Sequence, residues 1–194
     1  MTAKPAADKV ETVAAIVDFA QLTDEQRTDA ATVLRDALAH LPSGYGDGGQ
    51  AQAEVAARVA ASDWLGYAAF EGERLVGWIG ALMTYRHGWE IHPVVVAPDR
   101  QRRGIGSALL ARLETRARSA GVLTLFLGSD DDYGGTTLFG RDLLPDVLLQ
   151  ARNLRATARG HPLTFYRRHG YEVVGVLPDV NGAGRHDILM AKRL

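Results

Sequence analysis

Three groups of residues in this 194-residue chain have types and spacings that could do chemistry. The first is Val94–Ser107, VVVAPDRQRRGIGS, where three valines end a strand-like run and Gly104-Ile-Gly106 opens a helix-like one. Glycines at such a junction let the backbone approach a ligand closely. They also leave unpaired N–H groups at a helix terminus, which binds a pyrophosphate without a charged side chain. Arg100, Arg102 and Arg103 add positive charge on the same approach. The second group is Glu90 and His92. Counting by two along Trp89–Val96 puts Glu90, His92, Val94 and Val96 on one face and Trp89, Ile91, Pro93 and Val95 on the other. A carboxylate and an imidazole one step upstream of the glycine turn could act as general base and partner. The third is the acidic run Asp130, Asp131 and Asp132, in a stretch (Val122–Gln150) that holds five acids and a single base, Arg141. Arginines concentrate before and after it, a division that suits one anionic ligand and one cationic ligand.

Each group also has a plainer reading. A Gly-x-Gly can be a tightly packed loop, and a dinucleotide-binding fingerprint is a sharper rival. That rival is weakened because its third glycine position is Leu109 and the seven residues before Gly104 make the turn too long. Glu90 could pair with an arginine, His92 could be a satisfied histidine, and the acidic run could be a solvated loop.

The elements that must position these residues follow from pattern. Val13–Phe19 reads as a first strand. Thr23-Asp-Glu-Gln26 is a capping box, and Ala30, Val33, Leu34, Ala37, Leu38 and Leu41 then recur on one helical face. Pro42–Gln50 is rich in turn residues, and a short Ala-rich helix covers about Ala51 to Ala60. Trp64–Phe70 and Arg74–Tyr85 read as a hairpin turning at Glu71-Gly-Glu73, followed by the Trp89–Val96 strand. A helix is predicted from about Gly104 to Ala120, closed by Gly121, then a strand over Val122–Leu127 and a polar loop to Asp142. Pro162 starts a short helix ending at Gly170. Tyr171–Leu177 and Asp187–Lys192 form a last hairpin with Asn181-Gly182 in its connection. The result is a mixed α+β domain around one sheet, expected to span residues 1–194 as a single unit.

Composition limits the function classes. Apolar residues make up 46%, charged residues 23%, and the net charge is −1, so nothing global attracts nucleic acid or an anionic membrane. The absence of cysteine excludes disulfides, thiolate metal sites and a catalytic thiol. Met1–Val10 lacks the apolar stretch of a signal peptide and no run is long enough to span a bilayer, so a cytoplasmic protein is expected.

Gln101-Arg-Arg-Gly-Ile-Gly106, at its strand–loop–helix junction, resembles motif A of the GNAT superfamily of N-acetyltransferases, Q/R-x-x-G-x-G/A. Phe165-Tyr-Arg-Arg-His-Gly-Tyr171 resembles that superfamily's FYxxxGF/Y helix. The resemblance implies a mostly antiparallel sheet, flanked by helices and splayed where acetyl-CoA enters, with no metal. A proline inside a strand, Pro93, is tolerable beside such a splay, where a ladder bond is missing anyway. The cofactor-binding residues it implies are Val94, Val95, Val96, Gln101, Arg102, Arg103, Gly104, Ile105, Gly106 and Ser107. Glu90 becomes the candidate base, directly or through a water, and a backbone N–H on Val94–Val96 the carbonyl polariser. His92 could orient Glu90, relay a proton or hold the loop. Tyr166 takes the role of acid toward the departing thiolate by resemblance only. Without cysteine, direct transfer in a ternary complex is expected.

A narrower resemblance covers about Tyr45 to Leu194. Gly88-Trp-Glu-Ile-His-Pro93, Leu127-Gly-Ser-Asp-Asp131 with Gly135-Thr-Thr-Leu138, His161-Pro162, and Val174-Gly-Val-Leu-Pro-Asp179 with Asn181-Gly and Asp187 look like aminoglycoside 6′-N-acetyltransferases. This implies transfer to the 6′-amine of a cationic drug, antibiotic resistance and a homodimer. Tyr45, Asp47, Tyr85, Asp130, Asp131 and Asp132 fall on the acceptor side. One departure is Leu41, which stands where some members carry an acceptor-side tryptophan. Acetylation of a polyamine or protein amine, or an acetyl-CoA-binding sensor without catalysis, remain the alternatives.

Overall fold

The computed structural model describes residues 15–42, 44–46 and 48–194. Asp47 and the Val13–Ala14 start of the expected first strand lie outside the described residues. Strand β1 (Ala15–Asp18) ends one residue before its apolar run does because the Asp18 carboxylate accepts the Ala20 N–H at 3.0 Å and turns Phe19–Gln21 into a 3₁₀ helix. Helix α1 (Asp24–Leu38) starts on the expected capping box. Thr23 Oγ1 accepts from Gln26 N at 3.3 Å, and Gln26 Oε1 accepts from Thr23 N at 3.0 Å. Its inner face is Ala30, Ala31, Val33, Leu34 and Ala37. The helix stops at Leu38, so Leu41 falls in a turn ahead of Pro42, which disfavours helical backbone at the residue before it.

Helix α2 (Gly48–Ala60) begins three residues earlier than its alanine run suggested. Strands β2 (Trp64–Glu71) and β3 (Arg74–Tyr85) form the expected hairpin, with Gly72 at φ 60° in the turn. Strand β4 (Gly88–Val96) follows antiparallel to β3, then helix α3 (Ile105–Ser119). Gly121 ends α3 in a Schellman motif. Its N–H reaches Arg118 O at 3.0 Å and the Val122 N–H reaches Ala117 O at 3.0 Å. Strand β5 (Thr124–Asp130) runs three residues past the apolar pattern because all seven of its residues pair with the last strand. Two six-residue helices, α4 (Val147–Arg152) and α5 (Leu163–Arg168), precede β6 (Glu172–Leu177) and β7 (Asp187–Arg193). Of these only α4 had no counterpart in the pattern.

The sheet order is β1-β2-β3-β4-β5-β7-β6, antiparallel except for β4 against β5. It separates two apolar cores. On one face Leu109, Leu110, Leu113 and Ala117 of α3 bury Ile79, Trp89, Ile91, Leu125, Leu127 and Met190. On the other, α1 and α2 cover β1–β4 around Phe19, Trp64 and Trp78. Trp78 is fully buried and its indole N–H donates to Ala30 O at 2.9 Å, tying β3 to α1. Each fully buried leucine, isoleucine or phenylalanine of the two cores is worth about 1.5–3 kcal/mol in burial alone. On this second face, over β5, β7 and β6, Phe126 and Leu189 are only half-buried and Tyr85 and Val174 are exposed. Among the described residues no helix is long and apolar enough to cross a membrane.

Candidate active site

Strand β4 is nine residues long, yet only Gly88, Trp89 and Glu90 pair with β5, opposite Thr124, Leu125 and Phe126. Past Glu90 the two strands part, while β5 stays paired to β7 as far as Asp130. A gap therefore opens along Ile91–Val96. The Ala97 N–H is bonded to Val76 O at 2.9 Å on the β3 side, so alternation aims the Val94 and Val96 N–H groups into the gap. Pro93 sits along this unpaired edge, where its missing N–H costs no ladder bond.

Counting by two does not survive along this strand. Ile79 pairs with Val94 and Ala81 with Ile91, so Gly80 faces both His92 and Pro93 across a bulge. The extra residue turns Val94 and Val96 onto the α3 face with Trp89 and Ile91, while Glu90, His92 and Val95 share the opposite face. The expected common face of Glu90, His92, Val94 and Val96 is thus corrected, because the bulge shifts the alternation. The bulge is held by Trp64. Its indole lies across Gly66 and Gly80, where a Cβ would meet ring atoms at 2.4 and 2.3 Å, and its N–H donates to His92 O at 3.2 Å. The His92 ring turns to α2, with Nε2 3.3 Å from Glu54 Oε1, and so holds α2 against the strand.

On the α3 face a cleft of about 590 Å³ runs beside the gap. Val94, Val96, Gln101, Arg102, Gly104, Ile105, Gly106 and Ser107 line it. Gly104 has φ 85° ahead of the first helical residue, a conformation that favours glycine and exposes the first N–H groups of α3. Gln101 Nε2 donates to Val96 O at 3.2 Å and fixes the loop on the strand end. Arg100 is engaged by Glu71 at 2.8 Å and Asp99 at 2.6 Å. Arg102 stays exposed on the lining. Arg103 is exposed beside it, and the Val95 side chain points away into the core around Trp78. Arg168 and His169 of the α5 end also line the cleft, although nothing in the Phe165–Tyr171 pattern distinguishes them as site residues.

Tyr166 reaches the cleft from α5, wedged between the Phe165 and Tyr171 rings at 5.2 and 5.7 Å. Burial pushes its phenol above the ordinary value, which keeps the proton on oxygen at neutral pH.

On the opposite face the acids gather. Glu90 lies between Leu82 and Phe126. Asp187 faces Asp130 across β5 and β7, and its carboxylate lies over Gly128, where a Cβ would crowd it. Asp187 Oδ1 is buried without a protein partner. Burial first, then the Asp130 charge with a contribution from Glu90, pushes the Asp187 carboxyl up to about 6. Asp130 accepts from Asn181 Nδ2. The remaining acids of the run turn inward. Asp131 is fully buried and accepts the N–H groups of Gly135 at 2.7 Å and Thr136 at 2.9 Å, so it shapes the loop. Asp132 has a side chain at 0% exposure, 3.9 Å from Arg185. His161 beneath them accepts the Leu163 N–H at Nδ1 and donates from Nε2 to Asp130 O at 3.2 Å. That is the neutral ring, in keeping with a value lowered chiefly by burial. Tyr85 is exposed, its ring 5.9 Å from Phe126. Tyr45 is half-buried against the α1–α2 core, its phenol raised by burial and then by Glu54. Among the described residues no cluster of histidines and acids could hold a metal.

The raised Asp187 value has a consequence for stability. The native chain keeps a proton there that the unfolded chain has already lost above about pH 4, so stability is fully present below that pH and is lost as pH rises through about 6. Asp187→Asn should therefore raise the melting temperature at pH 8 and leave it nearly unchanged near pH 4. A calorimetric scan showing equal shifts at both would remove the linkage.

The comparisons with known proteins agree with this geometry. The family model "Acetyltransferase (GNAT) family" matches residues 14–135. The structure superposes with TM-score 0.83 and 36% identity on a crystal structure of an aminoglycoside 6′-N-acetyltransferase complexed with coenzyme A, over 92% of this chain and 96% of that one. It superposes with TM-score 0.81 and 36% identity on the aminoglycoside 6′-N-acetyltransferase from Enterococcus faecium, over the same shares. An aminoglycoside 6′-acetyltransferase type Ii follows at TM-score 0.69 and 31% identity, again over 92% and 96%. No curated protein sequence matches. With a family model spanning more than half its length, and the splayed strands, glycine turn and buried tyrosine in place, this chain belongs to the GNAT family of acetyltransferases.

Proposed function

We propose that this acetyltransferase acts on the 6′-amine of aminoglycosides, taking the acetyl group from acetyl-CoA and so conferring resistance. The observation that carries the reading is the set of three carboxylates, Glu90, Asp130 and Asp187, on the face opposite the cleft and at the mouth of the same gap. A polycationic acceptor is drawn to such a face, and the Phe126 and Tyr85 rings beside Glu90 offer apolar floor for a sugar ring. The 36% identity to proteins described as aminoglycoside 6′-N-acetyltransferases supports the same choice.

The cleft suits coenzyme A on physical grounds: free N–H groups at Gly104–Gly106, the exposed Arg102 and Arg168, and a long unpaired strand edge. When bound, the cofactor supplies an acetyl thioester, already activated toward an amine. Glu90 takes a proton from the acceptor ammonium and frees its lone pair. The Val94 N–H donates to the carbonyl oxygen as it gains negative charge, and the Val96 N–H, about 7 Å further along the same edge, is left for the cofactor's arm. Tyr166 gives its proton to the sulfur as the thiolate leaves. Asp187 and Asp130 hold the acceptor's charge next to Glu90.

Release of coenzyme A thiol should be seen with kanamycin and not with an aminoglycoside carrying a 6′-hydroxyl. Equal turnover of both, or faster turnover of spermidine, would move the assignment to a general amine acetyltransferase. Asp187→Asn should raise the KM for kanamycin about tenfold, the loss of one charge-assisted contact, and weaken its salt dependence. An unchanged KM would take Asp187 out of the acceptor site.

A further inference from the structure

We infer that binding of coenzyme A is coupled to uptake of a proton by His169, with the Ser107 hydroxyl as the group that turns. The inference rests on the coenzyme A reading of the cleft. His169 caps α5 and is fixed at both ring nitrogens: Nδ1 is 2.8 Å from Phe165 O, and Nε2 is 3.0 Å from Ser107 Oγ. Its ring also lies 4.5 Å from the Phe165 ring. A carbonyl oxygen only accepts, so the hydrogen must be on Nδ1. In the neutral ring Nε2 then carries a lone pair, and the Ser107 hydroxyl must donate to it.

Ser107 is the third residue of α3, on the lining of the cleft beside Gly104 and Gly106. With its proton committed to His169, its oxygen turns lone pairs toward the cleft. That polarity is wrong for a phosphate oxygen. Protonation at Nε2 reverses it. The new N–H donates to Ser107 Oγ, the hydroxyl rotates, and its proton becomes free for the anion. One N–H bond forms with a proton from solvent, and no other bond changes.

The surroundings make the anion the natural counter-charge. The ionisable groups lining the cleft are Arg100 and Arg102 from the β4–α3 loop and Tyr166 and Arg168 from α5, and no carboxylate is among the lining residues. Arg100 already answers Glu71 and Asp99 outside the cleft. An imidazolium at His169 therefore gains its partner only when the pyrophosphate arrives, and by linkage protonation and cofactor binding strengthen each other.

Calorimetry of coenzyme A binding near pH 7.5, in buffers of different ionisation enthalpy, counts the protons taken up. The difference between the native protein and His169→Gln removes the ligand's own titration. Native protein should take up as much as about one proton more than the variant, and its Kd should rise more steeply with pH. Pantetheine, which lacks the pyrophosphate, should show no such difference. Equal proton uptake in both proteins would overturn the inference. If His169→Gln does not fold, the imidazole C–H resonances of native His169 should move to their protonated positions when coenzyme A is added, and unmoved resonances would overturn it. Native protein that binds no coenzyme A at all would overturn the cofactor reading first and this inference with it.

Discussion

Glu90→Gln is expected to lower kcat for acetyl transfer by about 10²–10⁴-fold. The amide keeps the volume between Leu82 and Phe126 and removes the ability to take a proton. Coenzyme A affinity should change little, because the bulge at His92–Pro93 puts Glu90 on the face away from the cofactor cleft. The loss should shrink as pH rises, since more of the acceptor amine is then already neutral. Measuring kcat from neutral pH to about pH 9 separates the cases. Full native turnover in Glu90→Gln at neutral pH would transfer the base role to Asp187, the other carboxylate at the mouth of the gap.

Lys192→Met is expected to cost about 2–3 kcal/mol of folding stability, somewhat under the range for breaking a fully buried ion pair. Lys192 Nζ sits 2.8 Å from both carboxylate oxygens of Glu114, which is buried on α3 and also accepts the Tyr171 hydroxyl at 3.3 Å. Arg118, 3.3 Å away, remains as a weaker partner. For a chain of this size that corresponds to a melting temperature lower by about 5–10 °C. Adding Glu114→Gln removes the stranded charge and leaves an acceptor for Tyr171, so the double variant should recover more than half of the loss. If the double variant melts no higher than Lys192→Met, the cost lies in the lost contact of the ammonium with the Tyr171 ring face instead.

The parts of the fold set by local chemistry were legible in the sequence. The Thr23–Gln26 capping box, the Gly72-Glu73 hairpin and the Gly121 helix stop depend on residues a few positions apart, and each formed where the pattern put it. The glycine turn was legible for the same reason. What escaped depends on residues far apart in sequence. Alternation predicted one face for Glu90 and Val94, and an indole from β2 resting on Gly80 holds the bulge that separates them. Asp130, Asp131 and Asp132 read as one acidic run, yet backbone N–H groups of a loop not visible to composition claim Asp131. Asp187 entered the sequence reading only inside a motif, with no role in the site. Its importance comes from lying over Gly128 and opposite Asp130, which only the β5–β7 register creates.

The bulge in β4 also bears on the order of events. It sends Val94 and Val96 to one side of the sheet and Glu90 to the other, so on the function proposed above donor and acceptor would reach the gap through separate doorways. Neither would then block the other's way in, and neither product would have to wait for the other to leave. Kinetically that corresponds to random addition and release. Initial-velocity lines should converge, and each product should inhibit without trapping its partner.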